Sequence, residues 1–315
     1  MLFKASRHNL DHIVELIGQD YKLYGPILVE KNWLFRQFTK PYHIPWNSKR
    51  TTVPFKKFFI PNKHDILSEK ANIALLALPL CDVAALNLFL KQFENSGLVL
   101  PRKNIFIVGS DCTPDEHCFC DQFGLEKYYD FDLFISVNKN DDFFVSAKGW
   151  RAKEIITKCG LKASSAKITI KPKITSNKID LHKTEQIIDN KQLTHDFWQG
   201  IANNCFGCGA CSAVCPLCFC FDQDFENQLD GSCKRCLNWT NCFAADFSQI
   251  QFGHDLRPTN TDRLYNWYHH KFVRAPHELG HPTCVGCGRC IVACPAHLNI
   301  KSIIKSLNKK YGSKK

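Results

Sequence analysis

Several familiar signals are missing from this sequence, and each absence narrows what the chain can be. It contains no Walker A run and no G-x-G-x-x-G run, so nothing in it supports nucleotide or flavin binding. No Ser–His–Asp order can be argued, the 13 histidines form no metal-binding pattern, and no catalytic residue is assigned. Long apolar runs are also lacking. The most apolar stretch, Ile73 to Cys81, is broken by Pro79 and is far too short to span a bilayer. The opening residues, MLFKASRHNLDHIVELIGQD, hold no uninterrupted apolar core followed by a small-residue cleavage site. Neither a signal peptide nor a membrane span is therefore expected, and a cytoplasmic location is.

Cysteine, by contrast, is abundant, with 18 in 315 residues. These cysteines group as motifs rather than as a secreted disulfide framework, and free thiolates need a reducing compartment. Cys205 to Pro216 reads CFGCGACSAVCP, and Cys284 to Pro295 repeats the pattern as CVGCGRCIVACP. Each is C-x2-C-x2-C-x3-C followed by proline, the bacterial ferredoxin spacing for a cubane iron–sulfur cluster. Three cysteines wrap one cluster and the fourth reaches across to the other. One [4Fe–4S] cluster is thus assigned to Cys205, Cys208, Cys211 and Cys294, and its partner to Cys284, Cys287, Cys290 and Cys215. Gly207, Gly209, Gly286 and Gly288 allow close approach and positive φ, while Pro216 and Pro295 hold φ as the chain leaves. A single such motif would also suit zinc. Two complete copies favour iron–sulfur.

A chain of 315 residues with 44% hydrophobic content and 24 phenylalanines has material for two cored domains. The fold class expected is α+β: an N-terminal α/β domain and a C-terminal, mostly helical, ferredoxin-like dicluster domain. The formal charge of +11 is weak evidence for nucleic acid, because thiolate-bound clusters are anions that offset it. Leu10, Ile13, Val14 and Ile17 recur at helical spacing, with Asn9 as cap and Gly18 as stop. Residues 20–62 suggest short strands and loops. Ile73 to Leu80 and Ile105 to Gly109 read as buried strands around a helix that Asp82 caps and that stops near Gly97, a parallel α/β unit. Phe131 to Val137 and Phe143 to Ala147 read as further strands, the two forming a hairpin. The domains are accordingly placed at 1–162, with a polar linker at 163–196 holding a helix around Thr184 to Ile188. The dicluster domain follows at 197–300, and a basic tail at 301–315, read as an amphipathic helix that frays.

The remaining cysteines divide by setting. Cys81 ends the first buried strand, Cys112 lies just past the second, and Cys118 and Cys120 follow in SDCTPDEHCFC. Parallel strands would bring Cys81 and Cys112 to the carboxyl edge where open α/β sheets place ligands. The loop would then return Cys118 and Cys120 there, giving four thiols for a third [4Fe–4S] cluster, with zinc as the rival. Cys218, Cys220 and Cys242 are candidates for further ligands next to the first motif. Cys233 and Cys236 form a C-x2-C pair of open assignment, and Cys159 reads as a core thiol. Arg289, the only charge inside either motif, either stabilises a reduced cluster or is a solvated surface charge.

The stretches VPFKKFFIP, CDVAAL, SDCTPDEHCFC, FDLF, CFGCGACSAVCPLCFCF, WTNCF, GHDLRPT and CVGCGRCIVACPA together resemble the iron–sulfur beta subunits of cytoplasmic NiFe hydrogenases of the sulfhydrogenase type. They are similar as well to the A subunit of anaerobic sulfite reductase. The resemblance implies a non-catalytic subunit that carries electrons between a flavin- and NAD(P)-binding subunit and a catalytic subunit of NiFe hydrogenase or siroheme type. In that family the cysteines matching Cys81, Cys112, Cys118, Cys120, Cys218, Cys220 and Cys242 recur. RCLNWTNC departs from the family's Arg-Arg-Trp-Asp-Ser-Cys. The competing class is a zinc-stabilised nucleic-acid-binding module, and the Gly, Ala, Val and Phe between the motif cysteines speak against it, so no nucleic-acid partner is expected.

Overall fold

The computed structural model describes residues 1–39, 44–47, 50–59, 72–94, 96, 99–138, 142–173 and 179–312, with backbone alone at 192–193 and 234–237. The chain forms two compact units, the first comprising Met1–Phe55, Ile66–Glu116 and Gly124–Lys173, the second Lys56–Asp65, His117–Phe123 and Ile174–Lys315.

The first unit is a seven-stranded mixed sheet. In chain order its elements are β1 (Leu2–Ala5), α1 (Arg7–Asp20), β2 (Lys22–Val29), β3 (Asn32–Phe38), β4 (Ile73–Leu78), α2 (Leu80–Gln92), β5 (Ile105–Ser110), β6 (Leu133–Val137), β7 (Phe143–Ala147) and α3 (Gly149–Lys158). The strand order is β1-β7-β6-β5-β4-β2-β3. β2, β4, β5 and β6 run parallel, and antiparallel partners flank them. β4 and β5 are buried at every position, as strands covered on both faces must be. On one face Phe106 and Val108 of β5 join Leu10, Ile13, Val14 and Ile17 of α1 and Ala152 and Ile156 of α3 in a single core. The helix after β4 is as expected, and β5 runs parallel to β4 as expected.

Two cap assignments change. The cap of α1 is Ser6, whose side chain accepts from Asn9 N while Asn9 reaches back to the Ser6 amide; Gly18 lies inside the helix. At α2 the cap position is Pro79, and Asp82 sits buried in the first turn, where its charge faces the positive helix end. The stop read at Gly97 lies outside the described residues, as do Pro41 and Pro61 of the stretch read as short strands and loops.

The second unit is mainly helical. It holds α4 (Leu181–Asp189), α5 (Lys191–Ala202), the short α6 (Ala210–Ala213), a hairpin of β8 (Phe221–Asn227) and β9 (Cys233–Trp239), α7 (Asn260–His269), α8 (Ala275–Leu279), the short α9 (Arg289–Val292) and α10 (Ile300–Tyr311). A π-helical turn, His270–Arg274, joins α7 to α8. The polar stretch 163–196 carries α4 and the start of α5. Residues 174–178 of it lie outside the described residues. α10 buries Ile300, Ile304, Leu307 and Tyr311 and leaves Lys309 and Lys310 exposed. Asn308 of α10 hydrogen-bonds Thr184 of α4 at 3.0 Å. The last residues of the basic tail, 313–315, lie outside the described residues.

Candidate metal centre

The two cysteine motifs fold alike because their local chemistry is alike. Gly209 and Gly288 each stand at the cap of a one-turn helix with left-handed φ, 72° before α6 and 74° before α9. α6 and α9 pack on each other, which sets the two motifs side by side. A Cβ on Gly288 would lie 2.5 Å from the carbonyl oxygen of His117, so glycine alone fits there.

The motifs enclose two cavities. The first is lined by Cys205, Cys208, Cys211 and Cys294 and walled by Phe243, Leu264, Trp267, Tyr268 and Leu298. The second is lined by Cys215, Cys284 and Cys287, with Phe119, Lys271 and Val285 around them. Cys290, Trp267 and Ile300 line both. Among the described residues no three His, Cys, Asp or Glu side chains come close enough to hold one metal ion. The thiols ring two spaces instead of closing on points, which suits a bulky cubane. Backbone amides already face two of the sulfurs: Gly286 N–H donates to Cys284 Sγ and Leu298 N–H to Cys294 Sγ, each at 3.4 Å.

The electrostatics point the same way. Burial pushes the Cys211 and Cys284 thiols up to about 12, and Cys290 well above the ordinary thiol value. Ligation therefore has to displace protons from these groups. Lys56, Lys271 and Arg289 are all buried, at 0%, 2% and 2% exposure, whereas no carboxylate is buried among the described residues of this unit. Burying Lys56 and Lys271 beside each other and these thiols is costly unless the thiols ionise, so an anionic, thiolate-bound guest fits. Burial opposes the charge of Lys271, but Cys215, Cys218 and Cys284 outweigh it and hold its pKa well above the ordinary lysine value. Burial lowers Lys56 to about 8 against the pull of Cys218 and Cys215. Lys56 Nζ donates to the carbonyls of Ser212, at 3.0 Å, and Cys218, and stands 4.2 Å from the Trp239 ring centre. Arg289 is thus not a solvated surface charge.

The other cysteines lie as follows. Cys81 is buried in the first turn of α2 and Cys112 lies two residues past β5, both in the first unit. Cys118 and Cys120 belong to the second unit, in the segment His117–Phe123. There Phe119 N–H donates to Gly286 O at 2.8 Å, and the Cys118 thiol faces the Cys287 carbonyl at 3.9 Å. The hydrogen bond from Cys218, assisted by Lys271 and Lys56, lowers Cys215 well below the ordinary thiol value despite burial. Cys218 is pushed up correspondingly. Burial raises Cys242 to about 11, with Cys220 adding to it. Cys233 is exposed on β9, and Cys236 lies where only backbone is described. Cys159 packs against the core of the first unit, as expected of a core thiol.

Sequence reading missed Lys271, Lys56, Trp267 and Tyr268. The signal for Lys271 was present: Leu264, Trp267, Tyr268, Lys271 and Phe272 recur at helical spacing, placing one lysine on an apolar face.

Comparison with known proteins agrees with the sequence motifs. Residues 204–298 match the family described as a 4Fe-4S dicluster domain. The chain is 28% identical over 302 residues to sulfhydrogenase 2 subunit beta of Pyrococcus furiosus, covering 88% of this chain and 89% of that one. Residues 204–298 thus resemble a 4Fe-4S dicluster domain, and the chain is similar over most of its length to a sulfhydrogenase beta subunit.

Proposed function

We propose that this chain is a non-catalytic electron-transfer subunit, relaying single electrons between a flavin- and NAD(P)-linked subunit and the catalytic subunit of a NiFe hydrogenase. The observation that carries this reading is the pair of thiol-lined cavities sharing Trp267 as a wall. When bound, a [4Fe–4S] cluster supplies one-electron chemistry that no side chain here offers. The residues that would hold one are Cys205, Cys208, Cys211 and Cys294, and those for the other are Cys284, Cys287, Cys290 and Cys215, in crossed ligation.

The chain's own side chains do the rest. Trp267, Tyr268, Phe243 and Leu264 exclude water, and the amides of Gly286 and Leu298 donate to ligand sulfurs, which favours the reduced state. Cys208 is exposed next to Phe206, itself 71% exposed, so this edge is where a partner would approach the first cavity most closely. Cys81, Cys112, Cys118 and Cys120 are proposed to hold a third cluster, with zinc as the alternative metal. Cys218, Cys220 and Cys242 remain candidates for further ligands.

Isolation of the native complex under anaerobic conditions tests the function: a NiFe large subunit should co-purify, and a siroheme subunit in its place would overturn the hydrogenase assignment. Cys215→Ala should damage the cluster on Cys284, Cys287 and Cys290; loss confined to the Cys205 cluster would refute the crossed scheme. Iron near about twelve per chain supports three four-iron clusters. Iron near about eight, unchanged in a Cys112→Ser, Cys118→Ser variant, rejects the third.

A further inference from the structure

Lys271 sits in the π-helical turn His270–Arg274, where the extra residue in the helical register turns one lysine inward from an otherwise aromatic face. Its ammonium has three hydrogens and three acceptors. Nζ is 3.4 Å from Cys215 Sγ, 3.3 Å from Cys218 Sγ and 3.0 Å from the Thr283 carbonyl, and it lies 4.8 Å from the Trp267 ring centre. The side chain is 2% exposed, so water does not screen its charge. A lysine held this way has no geometric freedom to do anything but face those sulfurs.

We propose that Lys271 is a fixed cation that raises the reduction potential of the cluster held by Cys284, Cys287, Cys290 and Cys215, acting through Cys215, and so draws the electron toward that cluster. The inference rests on the paired-cluster reading. Reduction adds one negative charge to the cluster and its thiolates. A buried positive charge hydrogen-bonded to one ligand sulfur stabilises the reduced form more than the oxidised form, and hydrogen bonds to the sulfurs are an established lever on potential. The effect should be larger on that cluster, because Lys271 lines its cavity and not the first, although its charge also reaches Cys211.

The test uses the full chain purified anaerobically, with potentials read by titration followed by electron paramagnetic resonance. In Lys271→Gln one of the two dicluster signals should move to more negative potential by at least a tenfold change in its reduction equilibrium, about 59 mV for one electron. The other signal should move clearly less, and Lys271→Arg, which keeps the charge, should recover most of the shift. Two unshifted signals, or an equal shift in both, would overturn the proposal. Should Lys271→Gln fail to hold iron, wild-type protein grown with 15N-lysine decides. A lysine nitrogen coupling on one reduced cluster in pulsed spectra supports the proposal, and its absence from both rejects it. If no cluster signal of any kind appears in wild type, the paired-cluster reading itself fails, an outcome distinct from clusters present but indifferent to Lys271.

Discussion

The two units handle buried charge in opposite ways. In the first, Asp132 is 6% exposed and its own unit answers it: Oδ1 accepts from Arg151 at 2.8 Å, and Oδ2 from Arg102 at 3.1 Å and from the Ile107 amide at 2.9 Å. In the second, Lys56 and Lys271 are buried beside the thiols of Cys215 and Cys218, and no carboxylate of that unit is buried among the described residues. At Asp132 the first unit meets its buried charge with polypeptide alone. The second is built to be completed by something anionic, and thiolate-bound clusters meet that need.

Removing the clusters is the strongest way to break this comparison. Binding energy of a structural metal centre is folding energy. Stripping iron with an oxidant and chelator should abolish amide-exchange protection across α7 and α9, while β4 and β5 keep theirs. Equal loss in both units, or none in either, would remove the contrast on which the argument stands.

Asp132→Asn should act in reverse. It leaves two arginines facing a neutral amide, a loss of roughly 2–3 kcal/mol, less than for a fully buried pair because Arg102 keeps 28% of its side chain exposed. Denaturant unfolding should show the loss in the first unit, with iron content unchanged.

Within the second unit the two motifs can be set against each other. Gly288→Ala and Gly209→Ala each force alanine into a left-handed conformation, a strain of about 1–3 kcal/mol. At Gly288 the new Cβ meets the His117 carbonyl, which is backbone and cannot turn aside. At Gly209 it meets the side chain of Asn241, which can rotate at the cost of its 2.9 Å bond from the Phe243 amide. Melting of iron-loaded variants should therefore rank Gly288→Ala below Gly209→Ala, and the reverse order would show that the 117–123 segment yields more easily than a side chain.

How much of this was legible follows from how local each signal is. The sheet was readable because β4 and β5 are apolar at every position, and the ferredoxin motifs because their ligands lie within a dozen residues. β8 and β9 were not read: β8 is largely solvated, so no two-residue apolar alternation marks it, and the Asp230-Gly231 turn was a weak cue. Nor does spacing reveal that the segment of Cys118 and Cys120 lies beside the second motif, since a backbone hydrogen bond from Phe119 to Gly286, far apart in sequence, decides it. Lys271 looked like one more lysine in a basic chain. Its role depends on which face of α7 and the π turn meets the sulfurs, and that is tertiary information.

The smallest effect concerns the helix start that was read one turn late. Asn9 has the residue type of a cap, but the chain is still extended at Ser6, φ −90° and ψ 170°, and turns helical at Arg7. Ser6 Oγ accepts from the Asn9 amide at 3.2 Å, and Asn9 Oδ1 accepts from the Ser6 amide at 2.9 Å. The two side chains thus satisfy each other's backbone donors, with Ser6 serving an orphan amide inside the first turn and Asn9 serving one that lies outside it and can reach water. Ser6→Ala should cost about 1 kcal/mol, and Asn9→Ala less, because the amide it abandons is solvated. Thermal melts of the two variants measure this directly, and a larger loss from Asn9→Ala would restore Asn9 as the residue that starts the helix. Neither change should alter iron content, since α1 lies wholly in the first unit.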